Sequence, residues 1–378
     1  MSASTSTTTT TTPAPAPSGW DNAAHNARHA TLAYDRALAC DVDASGEWLA
    51  LVQNGVLRPV STKMSAPPST TLRATGVRCT RFDRRAAQLI AGGDDKRVVV
   101  WRLDGRGRAD EVRSWEASKK IAAVDFSADG ATAIWADRFG EVYCAAVDGP
   151  AGAAPALALG HLSPVSHLRL TPCGTKLLTA DREGHVRTSM WPHAFVIDCY
   201  CLRHVTPLQI MLPLASAPLL LTAADGGREV CVWRGAGGGL LSAQPAAELW
   251  KQLRPGDDAE PPAALQAACE LEKARILLLG FAGRKEVVAA DVRCAWDGGG
   301  AELLPRNPGF CLVLPEPALS LHVAKGDDGS LLVALCASAL HLYDLDAHGA
   351  ALARGAIALD APTAAPAEAD DDDDDDDG

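Results

Sequence analysis

Apolar and polar positions alternate with a period of two in short runs along most of this chain, and each run stops at a cluster of turn residues. The stretch GHLSPVSHLRLTPCGTKLLTADREGHVRTSMW, from Gly160 to Trp191, shows the unit. An alternating run from Pro164 to Leu170 meets a turn at Pro172-Cys173-Gly174. A second run, Thr175 to Ala180, meets a turn at Asp181-Arg182-Glu183-Gly184, and His185 to Ser189 forms a third. Period-two alternation between Gly, Pro and Asp clusters predicts strands, so the unit is an antiparallel meander. Three short strands bury too little to be stable alone, which calls for copies packed side by side.

The copies are present. An aspartate followed five residues later by valine recurs as Asp94…Val99, Asp137…Val142, Asp181…Val186 and Asp225…Val230, in the local texts AGGDDKRVVVW, IWADRFGEVYC, LTADREGHVRTS and LTAADGGREVCVW. A repeat of roughly 40–45 residues with Gly-His and Trp signposts is the pattern of a WD40 blade. Such blades close radially into a ring that leaves only short, protected edges. Upstream, Ala39 to Asp43, Trp48 to Val52 and Val56 to Val60 suggest a first blade, with Asn54-Gly55 as its hairpin turn. Blade two runs from Arg73 to Leu103, blade three from Ile121 to Val147, blade four from Val165, and blade five from Val205 to Trp233.

Beyond Trp233 the pattern thins. Arg234 to Ala263 is rich in Gly, Pro and acidic residues and reads as a long loop with at most one short helical turn. Alternation resumes at Leu271 to Leu279 and Glu286 to Val292, flanking Gly283. It resumes again at Leu319 to Ala324, Leu331 to Leu335 and Leu340 to Leu345, with Asp327-Asp328-Gly329 as a turn. These segments predict blades six and seven on alternation alone. The expected fold is an all-β, seven-bladed WD40 propeller over residues 20–360. A disordered Thr/Pro-rich segment, 1–19, precedes it, and a disordered acidic tail, 361–378, follows.

Composition narrows the class further. The formal charge of −12 falls to −4 without the eight consecutive aspartates Asp370 to Asp377, so the body is only mildly acidic and is no nucleic-acid binder by net charge. From Arg78 to Lys120, however, 12 Lys/Arg face 7 Asp/Glu, a local excess suited to phosphates, to an acidic partner, or simply to solvated blade edges. No apolar run reaches the length of a membrane-spanning helix, so no membrane is expected. The N-terminus lacks the features of a secretory signal. Eleven cysteines without framework spacing read as reduced core residues of a cytosolic or nuclear protein.

Candidate chemistry is sparse. His161, Thr179 and Asp181 in one blade, and His204, Thr222, Asp225 and Trp233 in the next, could be taken for a hydrolytic triad. No GxSxG elbow accompanies them, and the set recurs per blade, as groups tying a blade together by buried hydrogen bonds would. Cys199-x-Cys201 near His193 and His204 raises the question of zinc, but no second matched pair follows, and core cysteines are the simpler reading. Neither a phosphate loop nor a dinucleotide fingerprint is present. The chain is expected to be a scaffold with no catalytic, cofactor or metal residues of its own.

One run is more specific than a generic blade. In LLTADREGHVRTSMWPHAFVIDCYCLRH, Thr179-Ala180-Asp181-Arg182, Val186-Arg187, Pro192, Ile197, Cys201-Leu202 and His204 resemble a signature of the WD-repeat, non-catalytic subunits of eukaryotic tRNA (guanine-N7)-methyltransferase. The similarity covers roughly Ala91 to Trp233. Arg203 replaces the glycine before His204, and Val205-Thr206-Pro207-Leu208 replaces the usual Thr-Glu-Phe-Val. The resemblance implies a heterodimer in which this chain holds a catalytic methyltransferase subunit that forms N7-methylguanosine in the variable loop of tRNA. S-adenosylmethionine then sits on the partner, tRNA is reached through the complex, and the location is the nucleus, with the cytoplasm a second possibility. It also implies that Arg182 and Arg187, with Glu183 beside them, face the partner, both arginines being exposed. Arg offers a bidentate fork for carboxylate or phosphate. The competing readings are a generic WD40 interaction scaffold, a ubiquitin-ligase substrate adaptor and, third, a hydrolase propeller.

Overall fold

The computed structural model describes residues 38–63, 72, 75–85, 88–104, 108–224, 226–235, 238–294, 300–306, 311–325, 329–346 and 351–358. The expected terminal segments 1–19 and 361–378, Asp225, and the turn residues Asp327 and Asp328 lie outside them. Among the described residues the chain forms seven antiparallel sheets. Blade 1 is β1–β3 (Leu38–Val42, Trp48–Gln53, Val56–Ser61) and blade 2 is β4–β7 (Val77–Phe82, Gln88–Gly93, Arg97–Leu103, Ala109–Glu116). Blade 3 is β8–β11 (Ile121–Phe126, Thr132–Asp137, Glu141–Ala146, Ala156–Gly160) and blade 4 is β12–β15 (Val165–Leu170, Lys176–Asp181, Val186–Met190, Ile197–Cys201). Blade 5 is β16–β19 (Leu208–Pro213, Leu219–Ala224, Glu229–Arg234, Leu240–Pro245), followed by helix α1 (Ala246–Leu253). Blade 6 is β20–β23 (Leu265–Leu271, Ile276–Phe281, Glu286–Cys294, Ala301–Pro305) with β24 (Cys311–Val313) also paired to β22. Blade 7 is β25–β28 (Ser320–Lys325, Ser330–Leu335, Ala339–Leu345, Ala351–Ala358).

The innermost strands contact one another in cyclic order, β1, β4, β8, β12, β16, β20 and β25, and β25 returns to β1. The ring is therefore closed. Each of the seven buried apolar clusters is shared by two neighbouring blades, from Ala50, Val52 and Trp101 between blades 1 and 2 to Leu49, Leu51 and Leu331 between blades 1 and 7. The core lies between blades rather than within them, because a sheet buries its apolar faces only against another layer. The closing seam also carries charge. His322 Nδ1 in β25 lies 3.5 Å from Asp41 Oδ1 in β1, Arg81 in β4 pairs with the same oxygen at 3.2 Å, and the N–H of Phe82 donates to Asp41 Oδ2 at 2.8 Å.

Asn54 and Gly55 both take positive φ (52° and 74°), the two-residue hairpin geometry read from Asn-Gly. Two expectations need correction. The stretch after Trp233 is no long loop: it holds β19 and then an eight-residue helix whose Ala246, Leu249, Trp250 and Leu253 are buried between blades 5 and 6. These four residues fall at helical spacing, but the flanking Gly, Pro and acidic residues hide the stripe. The run Leu271 to Leu279 is not one strand either, because a 3₁₀ turn at Glu272–Ala274 divides β20 from β21.

Strand registers also correct the aspartate repeat. Val165 pairs with Asp181 and Ile121 with Asp137, but Val77 pairs with Gly93 and Leu208 with Ala224. Asp94 therefore falls one residue past the position that Asp137 and Asp181 share, and of these three only Asp137 and Asp181 are structural equivalents.

A candidate docking end on blades 3 to 5

In blade 4 the turn aspartate organises its own hairpin. Asp181 Oδ1 accepts the backbone N–H groups of Glu183 (3.0 Å) and His185 (2.9 Å), while Oδ2 lies 3.6 Å from His161 Nδ1 and 3.3 Å from His185 Nδ1. His161 Nε2 meets Thr179 Oγ1 at 2.7 Å. Burial works against charge on Asp181, but the nearby His161 imidazole, the His185 backbone N–H and the His185 imidazole hold its carboxyl below the usual range. In blade 5 the pattern repeats with a new carboxylate. His204 Nε2 meets Thr222 Oγ1 at 2.7 Å, Trp233 Nε1 donates to the same oxygen at 2.8 Å, and His204 Nδ1 faces Glu229 Oε2 at 3.4 Å. His161, Thr179 and Asp181 are thus brought together in one network, and His204, Thr222 and Trp233 in a second. Glu229, on the third strand, was missed because nothing in the local text marks it.

The expectation for Arg187 is overturned. Its side chain is not exposed: the residue is 8% accessible, and it donates from Nε to Ser189 Oγ (2.9 Å), from one terminal nitrogen to the Gly160 carbonyl (3.2 Å) and from the other to the Ala194 carbonyl (3.0 Å). By register, Ser189 stands where Trp233 stands in blade 5, since Thr179 pairs with Arg187 as Thr222 pairs with Cys231. A serine leaves the space that a tryptophan would fill, and the long guanidinium occupies it. Arg182 is half-buried and Glu183 exposed, both in the turn.

That turn belongs to a continuous row at one end of the ring. The N–H of His161 donates to the Gly140 carbonyl (2.9 Å), joining the Phe139 turn to the Leu162 loop, and the N–H of Arg182 donates to the Pro164 carbonyl (2.8 Å). Gly184 (φ 86°) lies so close to Thr206 that a Cβ would strike its carbonyl, joining the Arg182 turn to the 202–206 linker. Along this row Leu162 is fully exposed, and Val205, Phe139 and Leu202 are 80%, 64% and 63% exposed. Lys119 Nζ sits 4.1 Å from the centre of the Phe139 ring. Apolar side chains rimmed by Lys119, Arg182 and Glu183 form a surface suited to another protein.

Other candidates resolve differently. Several basic residues between Arg78 and Lys120 are engaged within the ring: Arg78 pairs with Asp94, Arg97 with Glu111, and Arg81 with Asp41 outside the segment. Arg84 donates to the carbonyls of Leu170, Thr171 and Pro172. Cys201 is buried between blades 4 and 5, Cys199 is half-buried, and His193 is exposed beside Phe195. No helix among the described residues is long and apolar enough to cross a membrane.

The fold and its repeated networks define the class: a seven-bladed WD40 β-propeller. Residues 148–276 match the sequence model of the family described as tRNA methyltransferase TRM82 WD40 domain, and residues 67–102 match the WD domain, G-beta repeat. The chain is similar to proteins named tRNA (guanine-N(7)-)-methyltransferase non-catalytic subunit. It is 25% identical to that of Dictyostelium discoideum over 174 residues, covering 42% of this chain and 37% of the relative. Identity to the Bos taurus protein is 26% over 182 residues (48% and 43%), and to the Xenopus laevis protein 31% over 140 residues (37% and 35%). The matched stretch thus spans about two fifths of the length of these relatives. Among solved structures, the Cps50 (Swd1) β-propeller domain of Myceliophteria thermophila superposes with a TM-score of 0.58 at 10% identity, covering 79% of this chain and 92% of that one. A chain of the mitotic checkpoint complex superposes at 0.60 and 12% identity, covering 79% and 83%. These two likenesses concern the fold alone.

Proposed function

We propose that this chain is the non-catalytic subunit of a tRNA (guanine-N7)-methyltransferase. On this reading it binds and stabilises a separate catalytic subunit that forms N7-methylguanosine in the variable loop of tRNA. The observation that carries the reading is the coincidence of two independent features. The stretch that matches the TRM82 WD40 family model, 148–276, contains most of the row of exposed apolar side chains, Leu162, Leu202 and Val205 around Arg182 and Glu183. A rigid ring suits such a role because it presents loops already ordered, so little conformational entropy is lost on docking. S-adenosylmethionine belongs to the partner in this scheme, the chain carries out no bond chemistry itself, and the complex works in the nucleus.

Co-expression with a candidate catalytic subunit, followed by pull-down and analysis of tRNA nucleosides, tests the proposal. Co-purification of a methyltransferase, and loss of 7-methylguanosine from tRNA when this chain is deleted, are the expected results. Intact 7-methylguanosine after deletion would refute it. Recovery of a ubiquitin-ligase core in place of a methyltransferase would favour the adaptor reading instead.

A further inference from the structure

We infer that His204, Glu229 and Cys231 form a binding site for a zinc-class divalent metal ion, seated between blades 4 and 5 beneath the candidate docking end. The inference stands apart from the proposed function and departs from the sequence-based expectation that the chain holds no metal. His204 lies in the linker that leads from β15 to β16. Glu229 and Cys231 alternate on β18, two residues apart, and so point to the same side, toward blade 4. One ligand atom from each of the three residues lies within 4.8 Å of the others.

The imidazole supplies the second, independent sign. His204 is 2% exposed, and among the described residues its Nδ1 has no hydrogen-bond partner. Its approach to Glu229 Oε2 is 3.4 Å. A charge-assisted N–H···O⁻ bond would be about 2.7–2.9 Å. Tetrahedral zinc with bonds of about 2.0–2.3 Å sets its ligand atoms roughly 3.3–3.7 Å apart, which the observed separation matches. A buried nitrogen aimed at a carboxylate without closing a hydrogen bond leaves a costly group unsatisfied, and a shared cation removes that cost.

The surroundings fit. Thr222 Oγ1 has two acceptor lone pairs; one takes the Trp233 N–H, and the other can take His204 Nε2–H, which leaves a lone pair on Nδ1. Arg203 donates to Glu229 Oε1 from Nε (3.0 Å) and a terminal nitrogen (2.8 Å), fixing the carboxylate with Oε2 turned to the site, as the outer shell of metal centres commonly does. Cys231 ligates as the thiolate, so its proton leaves to solvent as the metal–sulfur bond forms. Carboxylate and thiolate together neutralise a divalent ion. One nitrogen, one sulfur and one oxygen select zinc-class ions over magnesium or calcium. Glu229 is a third exposed, leaving a fourth position open to water.

Cobalt(II) titration of the full chain, followed in the near-ultraviolet and visible, tests the site. The expected result is one saturable site per chain with a thiolate-to-cobalt charge-transfer band. Cys231→Ser should abolish the band, Cys199→Ser should leave it intact, and Glu229→Gln should weaken binding at least about tenfold. Melting in chelator verifies that each variant is folded; Glu229, at the rim, decides the matter if Cys231→Ser does not fold. No saturable site, a band that survives Cys231→Ser, or unchanged affinity in Glu229→Gln (adventitious surface binding) would overturn the inference.

Discussion

Arg187 and Ser189, two residues apart on the third strand of blade 4, are joined by a hydrogen bond from Arg187 Nε to Ser189 Oγ at 2.9 Å. The same guanidinium holds the carbonyls of Gly160 in blade 3 and Ala194 in the loop before β15. A residue whose sequence context suggests a surface contact therefore clamps two blades together. Arg187→Met removes the donors and leaves buried acceptors unpaired, at a cost of about 3 kcal/mol. Denaturant unfolding should show this loss directly; a midpoint equal to wild type would mean that the clamp contributes nothing.

Asp181→Ala deletes the acceptor of two backbone N–H groups and the partner of His161. The expected loss is about 2–4 kcal/mol, because several donors are stranded at once. Faster amide exchange at Glu183 and His185 would locate the damage in this turn. If exchange there stays unchanged, the aspartate does not organise the hairpin.

Arg182→Glu and the pair Leu162→Ser, Val205→Ser act on exposed or half-buried positions of the docking end. Each should leave the melting temperature nearly unchanged, since surface substitutions usually fall within about 0.5 kcal/mol. Each should weaken capture of the catalytic subunit, by about tenfold or more for the apolar pair if these side chains are anchors. Undiminished capture by all of them moves the docking surface elsewhere.

The closing seam should make stability depend on pH. Burial opposes a charge on His322, but Cys40 and Asp41 beside it raise its pKa from 6.5 to about 9. A pKa raised by folding gives stability that is fully present below about 6.5 and is lost as pH rises toward 9. Asp41 behaves in the opposite sense. Despite burial, Arg81 and His322 lower its pKa to about 2, so its contribution is present above the ordinary carboxylate range and fades in strong acid. The melting-temperature gap between wild type and His322→Gln should be widest just below pH 6.5 and narrow as pH rises toward about 9. A gap that stays constant there would show that the seam is not held by the charged imidazole.

Trp250→Ala in α1 should cost about 3–5 kcal/mol, as expected for deleting a buried tryptophan. Its indole packs edge-on against Phe281 with ring centres 5.1 Å apart, and the guanidinium groups of Arg254 and Arg284 lie 5.7 and 5.3 Å from its ring centre. Chemical denaturation would separate this from a surface helix, whose loss would hardly register.

The sequence by itself determined the meander, the blade period and the count of seven. Alternation and turn residues are local properties, and the chain writes them out blade by blade: Asn54-Gly55 specified its hairpin, and His161 with Thr179 specified its network. Tertiary structure decided whatever depends on a neighbouring blade. It placed Arg187 inward because Ser189 leaves room there, and it buried a helix in a stretch that reads as a loop. It also showed that Asp94 and Asp137, alike in text, are one residue out of register. Above all, it carried Glu229 and Cys231 to His204, residues of one strand and a distant linker. Contacts between sheets depend on register and packing across an interface, which no local run of residues encodes.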